Sequence, residues 1–324
     1  MKTLKKTKVP NLPDFIQTKI YKTGQTRGAD DDVIYQNRVG RNSTVLIPYD
    51  FYDVCVHAKP EGFENGFIVL IDPDKFFTIP DYETKLKSQN IILGENALLL
   101  YGTRTQWETY NPTAKGLIPA TSRVSPLDGK FISRVASTTS DEKNRENHGF
   151  TTTGKKGAGI RVYEYASKKI IDQCRIQLEY LFWSCYDSIE RCVTFGLKRE
   201  DAMVRKEYNE TNAENDGLNC KETLLQKRMI DIDGHTVCPL CLEKLSSQGF
   251  FDKVAQAEGR SVHDLTVTQI NLFHIQELRI GQYNHTPYNL GWGHHHCNVV
   301  VKDTGIKETL EWMQGVLERN NQLS

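Results

Sequence analysis

The spacing of four potential metal ligands constrains the fold of this chain more than any other feature. Cys238 and Cys241 are separated by two residues, and His294 and Cys297 repeat the same spacing later in the chain. Thiolate and imidazole are the usual ligands of tetrahedral zinc, and two such pairs supply all four positions. The pattern predicts a structural zinc site that closes the intervening polar segment into a small domain. The alternative is a coincidence of reduced cysteines without a metal.

Three further polar residues lie between or beside these pairs. His274 falls in a predicted strand, Asn289 opens a second one, and Asn298 directly follows Cys297. This arrangement resembles the HNH (ββα-metal) nucleases, in which a catalytic His on the first strand and an Asn at the start of the second are followed by a Cys-x-x-Cys pair and another Asn. His294 stands where Cys is commoner in that family. The resemblance covers about a fifth of the chain.

The resemblance implies a ββα fold that hydrolyses phosphodiester bonds in DNA with one catalytic metal ion. His274 would be the general base that takes a proton from water, because an imidazole with an ordinary pKa of about 6.5 is neutral at cellular pH. Asn298 would bind a Mg²⁺-type ion through its carbonyl oxygen, and Asn289 would orient His274. As alternatives, His274 would be a core histidine, and the two asparagines would be turn and helix-cap residues.

One departure from the family concerns the second ligand of this catalytic ion. The family usually has Asp, Glu or His directly before the catalytic His, whereas this chain has Phe273, which cannot bind a metal. Gln276 shares a strand face with His274 by the two-residue period of a strand, and Glu277 would reach the ion from a bulge. His295 is a third candidate. A site completed by water and phosphate oxygens is also open, because Mg²⁺ retains several waters.

Composition limits the class of protein and its compartment. The chain has 324 residues with 41 basic and 41 acidic side chains, a net charge of zero. A balanced charge counts against non-specific binding to DNA phosphates and counts less against recognition through base edges. No N-terminal signal peptide and no apolar segment of membrane-spanning length is evident, and the eight cysteines are spread without a disulfide framework. The expected compartment is the reducing cytoplasm.

Hydrophobic patterning predicts an α+β protein with two domains. Short apolar runs separated by Gly, Pro and Asn predict a mixed or antiparallel sheet between residues 20 and 134. A three- and four-residue repeat of apolar side chains predicts a long core helix over about 164–195, and the polar stretch at about 209–216 predicts a linker. Residues 1–216 would form a DNA-recognition domain, and residues 217–324 would form the zinc-stapled HNH nuclease domain.

Several polar loops in the first of these domains carry basic side chains beside Gly, Thr or Asn. Arginine presents paired donors that match guanine edges, and glycine lets the backbone approach DNA closely. Solvent-exposed loops without a ligand are the alternative for each. The candidate DNA-binding residues are Arg27, Arg38, Arg41, Arg104, Lys155 and Lys156.

Together these observations predict a sequence-specific double-stranded DNA endonuclease with a structural Zn²⁺ and a catalytic Mg²⁺ or similar divalent ion. The large, non-repetitive, charge-balanced N-terminal region favours a type II restriction enzyme, which would act beside a cognate DNA methyltransferase and as a homodimer on a palindromic target. A homing or modification-dependent HNH nuclease is an alternative within the class. A non-catalytic, zinc-stabilised nucleic-acid-binding module is an alternative outside it, because Phe273 interrupts the catalytic motif.

Overall fold

A computed structural model describes residues 9–21, 34–35, 44–135, 146–150, 157–252, 268–302 and 304–322. The chain divides into two compact units. The sheet unit comprises Gly24–Ser167 and Arg279–Tyr283, and the hairpin unit comprises Met1–Thr23, Lys168–Leu278 and Asn284–Ser324. Helices together with parallel and antiparallel strand pairs confirm the predicted α+β class. No helix in the described part of the chain has the length and apolarity needed to cross a membrane.

A single mixed sheet forms the centre of the sheet unit. Its strands are β1 Val45–Pro48, β2 Phe67–Ile71, β3 Ala97–Tyr101, β4 Phe131–Val135, β5 Glu146–His148 and β6 Ile160–Arg161. Their spatial order is β5-β4-β3-β2-β1-β6. The β4–β5 pair is antiparallel and the others are parallel, so the sheet is mixed, one of the two predicted arrangements.

Four helices connect the first strands of this sheet. They are α2 Tyr52–Ala58, α3 Pro73–Thr78, α4 Tyr82–Ser88 and α5 Arg104–Thr109. At the start of α3, the Asp72 carboxylate accepts a hydrogen bond from the backbone N–H of Asp74, and at the start of α5, Thr103 and Gln106 form a reciprocal capping box. The stretch around Arg104, predicted to be a DNA-binding loop, therefore begins a helix instead.

The central strands are continuous apolar runs because the sheet is covered on both faces. Ile68 and Leu70 of β2 lie in one hydrophobic cluster, whereas Val69 and Ile71 lie in a second cluster that includes Tyr82 of α4. This alternation follows the two-residue period of a strand. Strands with alternating apolar and polar residues would instead indicate a sheet with one face in solvent.

The hairpin unit combines one antiparallel pair of strands with helices from three parts of the chain. Its elements are α1 Asp14–Tyr21, α6 Lys168–Trp183, α7 Ser188–Thr194, α8 Arg199–Asn215, α9 Lys221–Gln226, β7 Ile270–His274, β8 Leu290–His294, α10 His295–Val301 and α11 Ile306–Arg319. In the hairpin, Ile270 pairs with His294 and His274 pairs with Leu290. The helix α10 begins directly after β8, so these three elements form a ββα unit.

The long helix predicted over about 164–195 is two helices, α6 and α7. The Ser188 hydroxyl donates to the Trp183 carbonyl (2.9 Å), and the Ser184 hydroxyl donates to the Tyr180 carbonyl (2.9 Å). Side-chain hydroxyls compete in this way for carbonyls at the end of a helix. An apolar repeat continues across the break, which is why it predicts a single helix.

The stretch at about 209–216 is not the predicted linker, because α8 runs through it to Asn215. One buried stripe of this polar helix, which includes Asn209 and Ala213, faces the rest of the hairpin unit. The Asn209 amide donates to the Ile176 carbonyl of α6 (3.1 Å). Low hydrophobicity therefore marks a helix that is solvated on most of its surface.

The long core helix belongs with the hairpin rather than with the sheet. Leu178 and Phe182 of α6 lie in the same hydrophobic cluster as Leu290 and Trp292 of β8. The Trp292 indole Nε1–H also donates to the Leu178 carbonyl at 2.8 Å. The division therefore falls at residue 167, before α6, and the predicted boundary at residue 216 is wrong.

Candidate metal centre and active site

The first ligand pair lies in a tight turn. The backbone N–H of Leu242 donates to the Cys238 carbonyl (2.8 Å), and the N–H of Cys238 donates to the Glu243 carbonyl (2.9 Å). Leu242 has a left-handed backbone conformation with φ of 62°. These bonds fold Cys238-Pro-Leu-Cys241 back on itself, which brings the two cysteine side chains to the same side of the turn.

The structure brings all four predicted zinc ligands together. The sulfurs of Cys238, Cys241 and Cys297 and one ring nitrogen of His294 all lie within 4.8 Å of one another. The Cys241 Sγ and His294 Nδ1 atoms are 3.4 Å apart. Metal–ligand bonds of about 2.0–2.3 Å place the ligands of a tetrahedral zinc about 3.5–4 Å apart. The four side chains fit such an ion in number, chemistry and spacing.

The pKa of the Cys297 thiol reflects its burial and how closely the three sulfurs of this cluster lie. Burial raises the pKa of the Cys297 thiol, and the neighbouring sulfurs of Cys238 and Cys241 raise it further. Three thiols that crowd together cannot all ionise without a cation between them. All eight cysteines of the chain are free thiols, so no disulfide holds this group together.

His274 lies at the end of β7 with its two ring nitrogens in different surroundings. Nε2 is buried and has no hydrogen-bond partner. The residue as a whole is half-buried, and no hydrogen bond to Nδ1 is present among the described residues, so Nδ1 is the more accessible nitrogen. Burial lowers the pKa of His274 to about 4, which keeps the imidazole neutral at neutral pH.

Asn289 ties the loop between the two strands to the hairpin. Its Oδ1 accepts from the backbone N–H of Gln276 (2.7 Å), and its Nδ2 donates to the carbonyls of Gln276 (3.1 Å) and Asn284 (2.8 Å). Asn289 is buried, and these three bonds use one acceptor and both donors of its amide. The side chain therefore positions the backbone just beyond His274.

Asn298 lies in the first turns of α10 against the same strand as His274. Its Nδ2 donates to the Leu272 carbonyl of β7 (3.2 Å), while no hydrogen bond to its Oδ1 is present in the part of the chain that the structure describes. Leu272 and His274 are two residues apart on one face of β7, about 7 Å along the strand. The structure thus brings the predicted base and the predicted oxygen ligand to the same strand.

Phe273 occupies the position before His274 and is fully buried in the hydrophobic core of the hairpin unit. Of the candidate replacements for a ligand there, Glu277 has a contact elsewhere through its backbone and His295 through its ring. The side chain of Gln276 is exposed, the Glu277 carbonyl accepts from the Asn284 amide (2.6 Å), and the His295 Nδ1 lies 3.2 Å from the Asn271 amide. None of these contacts is with His274, so the second ligand of a catalytic ion stays a prediction.

Among the candidate DNA-binding residues, only Arg104 lies in the described part of the chain. It is exposed at the start of α5, and its Nε is 3.1 Å from the Glu108 carboxylate one turn further along the helix. The others lie outside the described residues: Arg27, Arg38, Arg41, Lys155 and Lys156.

The structure adds a histidine that the sequence patterns did not single out. The ring of His285, in the loop between β7 and β8, lies 5.6 Å from the ring of His274, centroid to centroid, at an interplanar angle of 58°. His285 is buried, and neither of its ring nitrogens has a hydrogen-bond partner. Strand and helix periods carry no information about a loop side chain, although a histidine in the segment between His274 and Asn289 is a usable signal.

A β-hairpin, a helix and a converging set of three cysteines and one histidine make this a ββα module with a candidate structural metal site, attached to a mixed-sheet unit. The chain belongs to the BstXI restriction endonuclease family, because the family model with the description "BstXI restriction endonuclease" matches residues 18–295. That range includes Cys238, Cys241, His274 and His294 and ends before Cys297.

Comparisons with solved structures and with curated proteins do not assign a family to the chain. A solved chain described as "Crystal structure of a type II restriction endonuclease" has 16% sequence identity and a TM-score of 0.30 over 50% of this chain. The match spans 59% of that solved chain, less than two thirds of its length. No curated protein matches the sequence. Family membership therefore rests on the family model alone.

Proposed function

We propose that the protein is a sequence-specific double-stranded DNA endonuclease, a type II restriction enzyme that cleaves with the ββα module of its hairpin unit. The observation that carries the proposal is the hydrogen bond from Asn298 of α10 to the carbonyl of Leu272, two residues before His274 on β7, together with four side chains that fit a structural zinc ion. Family membership supports the restriction class and DNA as the substrate. The family match by itself supports no particular mechanism.

Each residue of the module has a role in this proposal. The Nδ1 atom of His274 takes a proton from the attacking water, because it is the accessible nitrogen of a neutral imidazole. Asn298 offers its Oδ1 to a Mg²⁺-type ion, which would stabilise negative charge on the scissile phosphate. Asn289 holds the loop between β7 and β8 in place. Gln276 and Glu277 remain candidates for a second ligand of that ion, which water and phosphate oxygens would otherwise complete.

The structural zinc would contribute folding free energy rather than chemistry. Cys238, Cys241, His294 and Cys297 leave no open coordination position in a tetrahedral ion, which is the usual arrangement of a structural site. Bound there, the ion would join the Cys238 turn to the end of β8 and the start of α10. That is the junction at which Asn298 is set against β7.

Recognition of DNA is assigned to the sheet unit. Arg104 and the predicted basic loop residues Arg27, Arg38, Arg41, Lys155 and Lys156 are the proposed contacts. A protein without net positive charge gains little from non-specific phosphate binding, so base-edge contacts would carry the discrimination. If the target is palindromic, a homodimer would match its symmetry, and a cognate methyltransferase would protect the same sequence.

Cleavage of defined DNA tests this proposal. Purified protein is incubated with Mg²⁺ and unmethylated or methylated DNA, and the ends are mapped. We expect double-strand breaks at one recurring sequence, and we expect His274→Ala to lose at least about 100-fold in rate while still binding DNA, because a general base contributes 10²–10⁴-fold. His57→Ala is the matched control, since His57 is an exposed histidine on α2 of the sheet unit.

The possible outcomes separate the alternatives. Unchanged cleavage by His274→Ala would remove the general base from that residue. Cleavage of methylated DNA alone would indicate a modification-dependent nuclease. Binding without cleavage, by zinc-loaded wild-type protein with either Mg²⁺ or Mn²⁺, would favour the non-catalytic module, for which the buried Phe273 is the specific observation.

A further inference from the structure

Four buried polar atoms without hydrogen-bond partners belong to three residues around the end of β7. They are Nε2 of His274, both ring nitrogens of His285, and Oδ1 of Asn284. An unpaired buried polar atom is destabilising, so several in one place call for an explanation. The zinc cluster does not supply one, because none of the three residues belongs to it.

The donors and acceptors of these atoms match one another. A neutral imidazole has one N–H donor and one nitrogen acceptor, and an amide oxygen is an acceptor. If Nε2 of His274 carries the proton, it can donate to one nitrogen of His285. The other nitrogen of His285 can then donate to Oδ1 of Asn284. Two hydrogen bonds in series would satisfy all four atoms.

The observed geometry is close to the one this pairing needs. An N–H···N bond of about 2.9 Å between two imidazoles in line places their centroids about 5 Å apart. The ring centroids of His274 and His285 are 5.6 Å apart, so the two rings would have to approach by about 0.5 Å to form the bond. Asn284 is already fixed by its amide, which donates to the Glu277 carbonyl, and by its own carbonyl, which accepts from Asn289.

We propose that His285 is a positioning residue that holds His274 in the tautomer with the proton on Nε2. That tautomer leaves the lone pair on Nδ1, the accessible nitrogen, where a general base would meet water. The role of His285 rests on the proposed function of His274, although the hydrogen bond itself does not. His285 acts through His274 and does not touch the reacting atoms.

The burial of His285 distinguishes this role from that of a metal ligand. His285 is only 1% exposed. A ligand of the catalytic ion would have to lie where a DNA phosphate can also reach the ion. A side chain buried behind His274 is suited to fixing a ring orientation, as the hydrogen-bonded partners of reactive histidines commonly do.

The tautomer of His274 in the full-length, zinc-loaded protein tests the proposal without any nuclease assay. In protein labelled with ¹⁵N-histidine, we expect the His274 signals of an imidazole protonated at Nε2, together with a coupling across the N–H···N bond to His285. Signals are assigned by their loss in His274→Gln and His285→Gln. A wild-type His274 protonated at Nδ1, or a rapid average of both tautomers, would overturn the proposal.

Two substitutions of His285 test whether this residue sets the tautomer of His274. His285→Phe keeps an aromatic ring but removes the acceptor, so the tautomers of His274 should mix. His285→Gln retains a donor and an acceptor, so the Nε2–H tautomer should return. His57→Phe and His57→Gln are the matched controls. Zinc content and thermal unfolding show whether each variant is folded. If His285→Phe fails to fold, the coupling between His274 and His285 in the wild-type protein still decides whether the hydrogen bond is present.

Cleavage kinetics then separate the positioning role from the proposed function. We expect His285→Phe to lower kcat by about 10- to 100-fold, a part of the contribution of a general base, with KM changed less than about 2-fold. His285→Gln should recover most of the loss. If the Nε2–H tautomer is found but the protein cleaves no DNA, the proposed function fails and the pairing stands. If kcat is unchanged while the tautomers mix, the positioning role fails.

Discussion

Phe273 on β7 lies so close to Gly293 on β8 that a Cβ atom on Gly293 would be 2.5 Å from the Cδ2 atom of the phenylalanine ring. Phe273 is fully buried and belongs to the hydrophobic core of the hairpin unit. The apolar residue in the place of an expected metal ligand is therefore part of the core packing of the hairpin, and Gly293 provides the space for it.

We expect Gly293→Ala to lower the unfolding free energy of the hairpin unit by about 1–3 kcal/mol, because the buried ring has to move from its packed position. Gly291→Ala is the matched control on the same strand, where the nearest side-chain atoms to an added Cβ are 3.6 Å away on Met229. Denaturant unfolding followed by tryptophan fluorescence measures both. Equal losses in the two variants would show that the Phe273 ring is not the cause.

Replacement of Phe273 by Asp, one of the residues that the HNH nucleases usually have at this place, should not create a metal ligand. The new carboxylate would lie in the core, where an unpaired charge is destabilising by several kcal/mol. We expect Phe273→Asp to lower the thermal unfolding temperature without strengthening Mn²⁺ binding, measured by calorimetry. Mn²⁺ binding tighter than in the wild type would place residue 273 within reach of the ion instead.

The candidate zinc site should determine whether the hairpin unit folds. Cys238 is buried and belongs to the four-ligand cluster, so Cys238→Ala should abolish stoichiometric zinc binding and cost about 3 kcal/mol or more, because zinc binding supplies folding free energy. Cys220→Ala is the control, since Cys220 is exposed and outside the cluster. Zinc content by mass spectrometry and thermal melting measure the effect. Normal melting of a zinc-free Cys238→Ala protein would contradict the structural role.

The four candidate zinc ligands that the structure brings together come from pairs with close spacing in the sequence. Cys238 and Cys241 share one turn, and His294 and Cys297 lie within four residues, so their spacing is enough to predict that each pair converges. The partner of α6 could not be predicted in this way. Its apolar repeat shows which face of the helix is buried. It does not show that this face packs against Trp292 of the hairpin rather than against the six-stranded sheet. A helical period cannot identify what lies across an interface.

The wrong linker and the overlooked histidine have related causes. Residues 209–216 are polar enough to suggest a linker, but they continue the helix α8, whose buried Asn209 donates a hydrogen bond to the Ile176 carbonyl of α6. His285 carries no periodic signal, and only the three-dimensional path of its loop brings it beside His274. Both depend on tertiary contacts, about which composition and periodicity carry no information.

Asn289 should control the order of the loop that follows β7. Asn289→Ala removes three hydrogen bonds and leaves the N–H of Gln276 without its side-chain acceptor. We expect a loss of about 1–3 kcal/mol in unfolding free energy and faster amide hydrogen exchange at Gln276. The backbone bond from the Ile275 N–H to the Asn289 carbonyl (3.0 Å) persists in the variant, so exchange at Ile275 is the internal control. Equal acceleration at both amides would indicate fraying of the whole hairpin rather than of the loop.

Asp187 should make the hairpin unit sensitive to acid. Burial raises the pKa of Asp187, but the hydrogen bonds from Ser246, Ser247 and Arg191 outweigh it and hold the pKa below its usual value. The carboxylate Oδ1 accepts from the Ser247 N–H (2.7 Å) and hydroxyl (2.8 Å), and Oδ2 accepts from the Ser246 hydroxyl (2.6 Å). The folded state therefore binds a proton at Asp187 less readily than the unfolded state does.

The sign of the pH dependence follows from that difference. The stabilisation is complete above the unfolded pKa of about 3.9 and is lost as the pH falls through the lower folded value. At neutral pH, Asp187→Asn should lose about 1–3 kcal/mol, because the amide presents a donor where a second acceptor is needed. Below about pH 4 the difference in unfolding free energy between wild type and variant should shrink. Glu200→Gln, an exposed acid on α8, is the control. Unfolding free energies measured from pH 7 down to pH 3 test this, and a gap that stays constant or widens in acid would show that the ionised carboxylate of Asp187 is not what stabilises the fold.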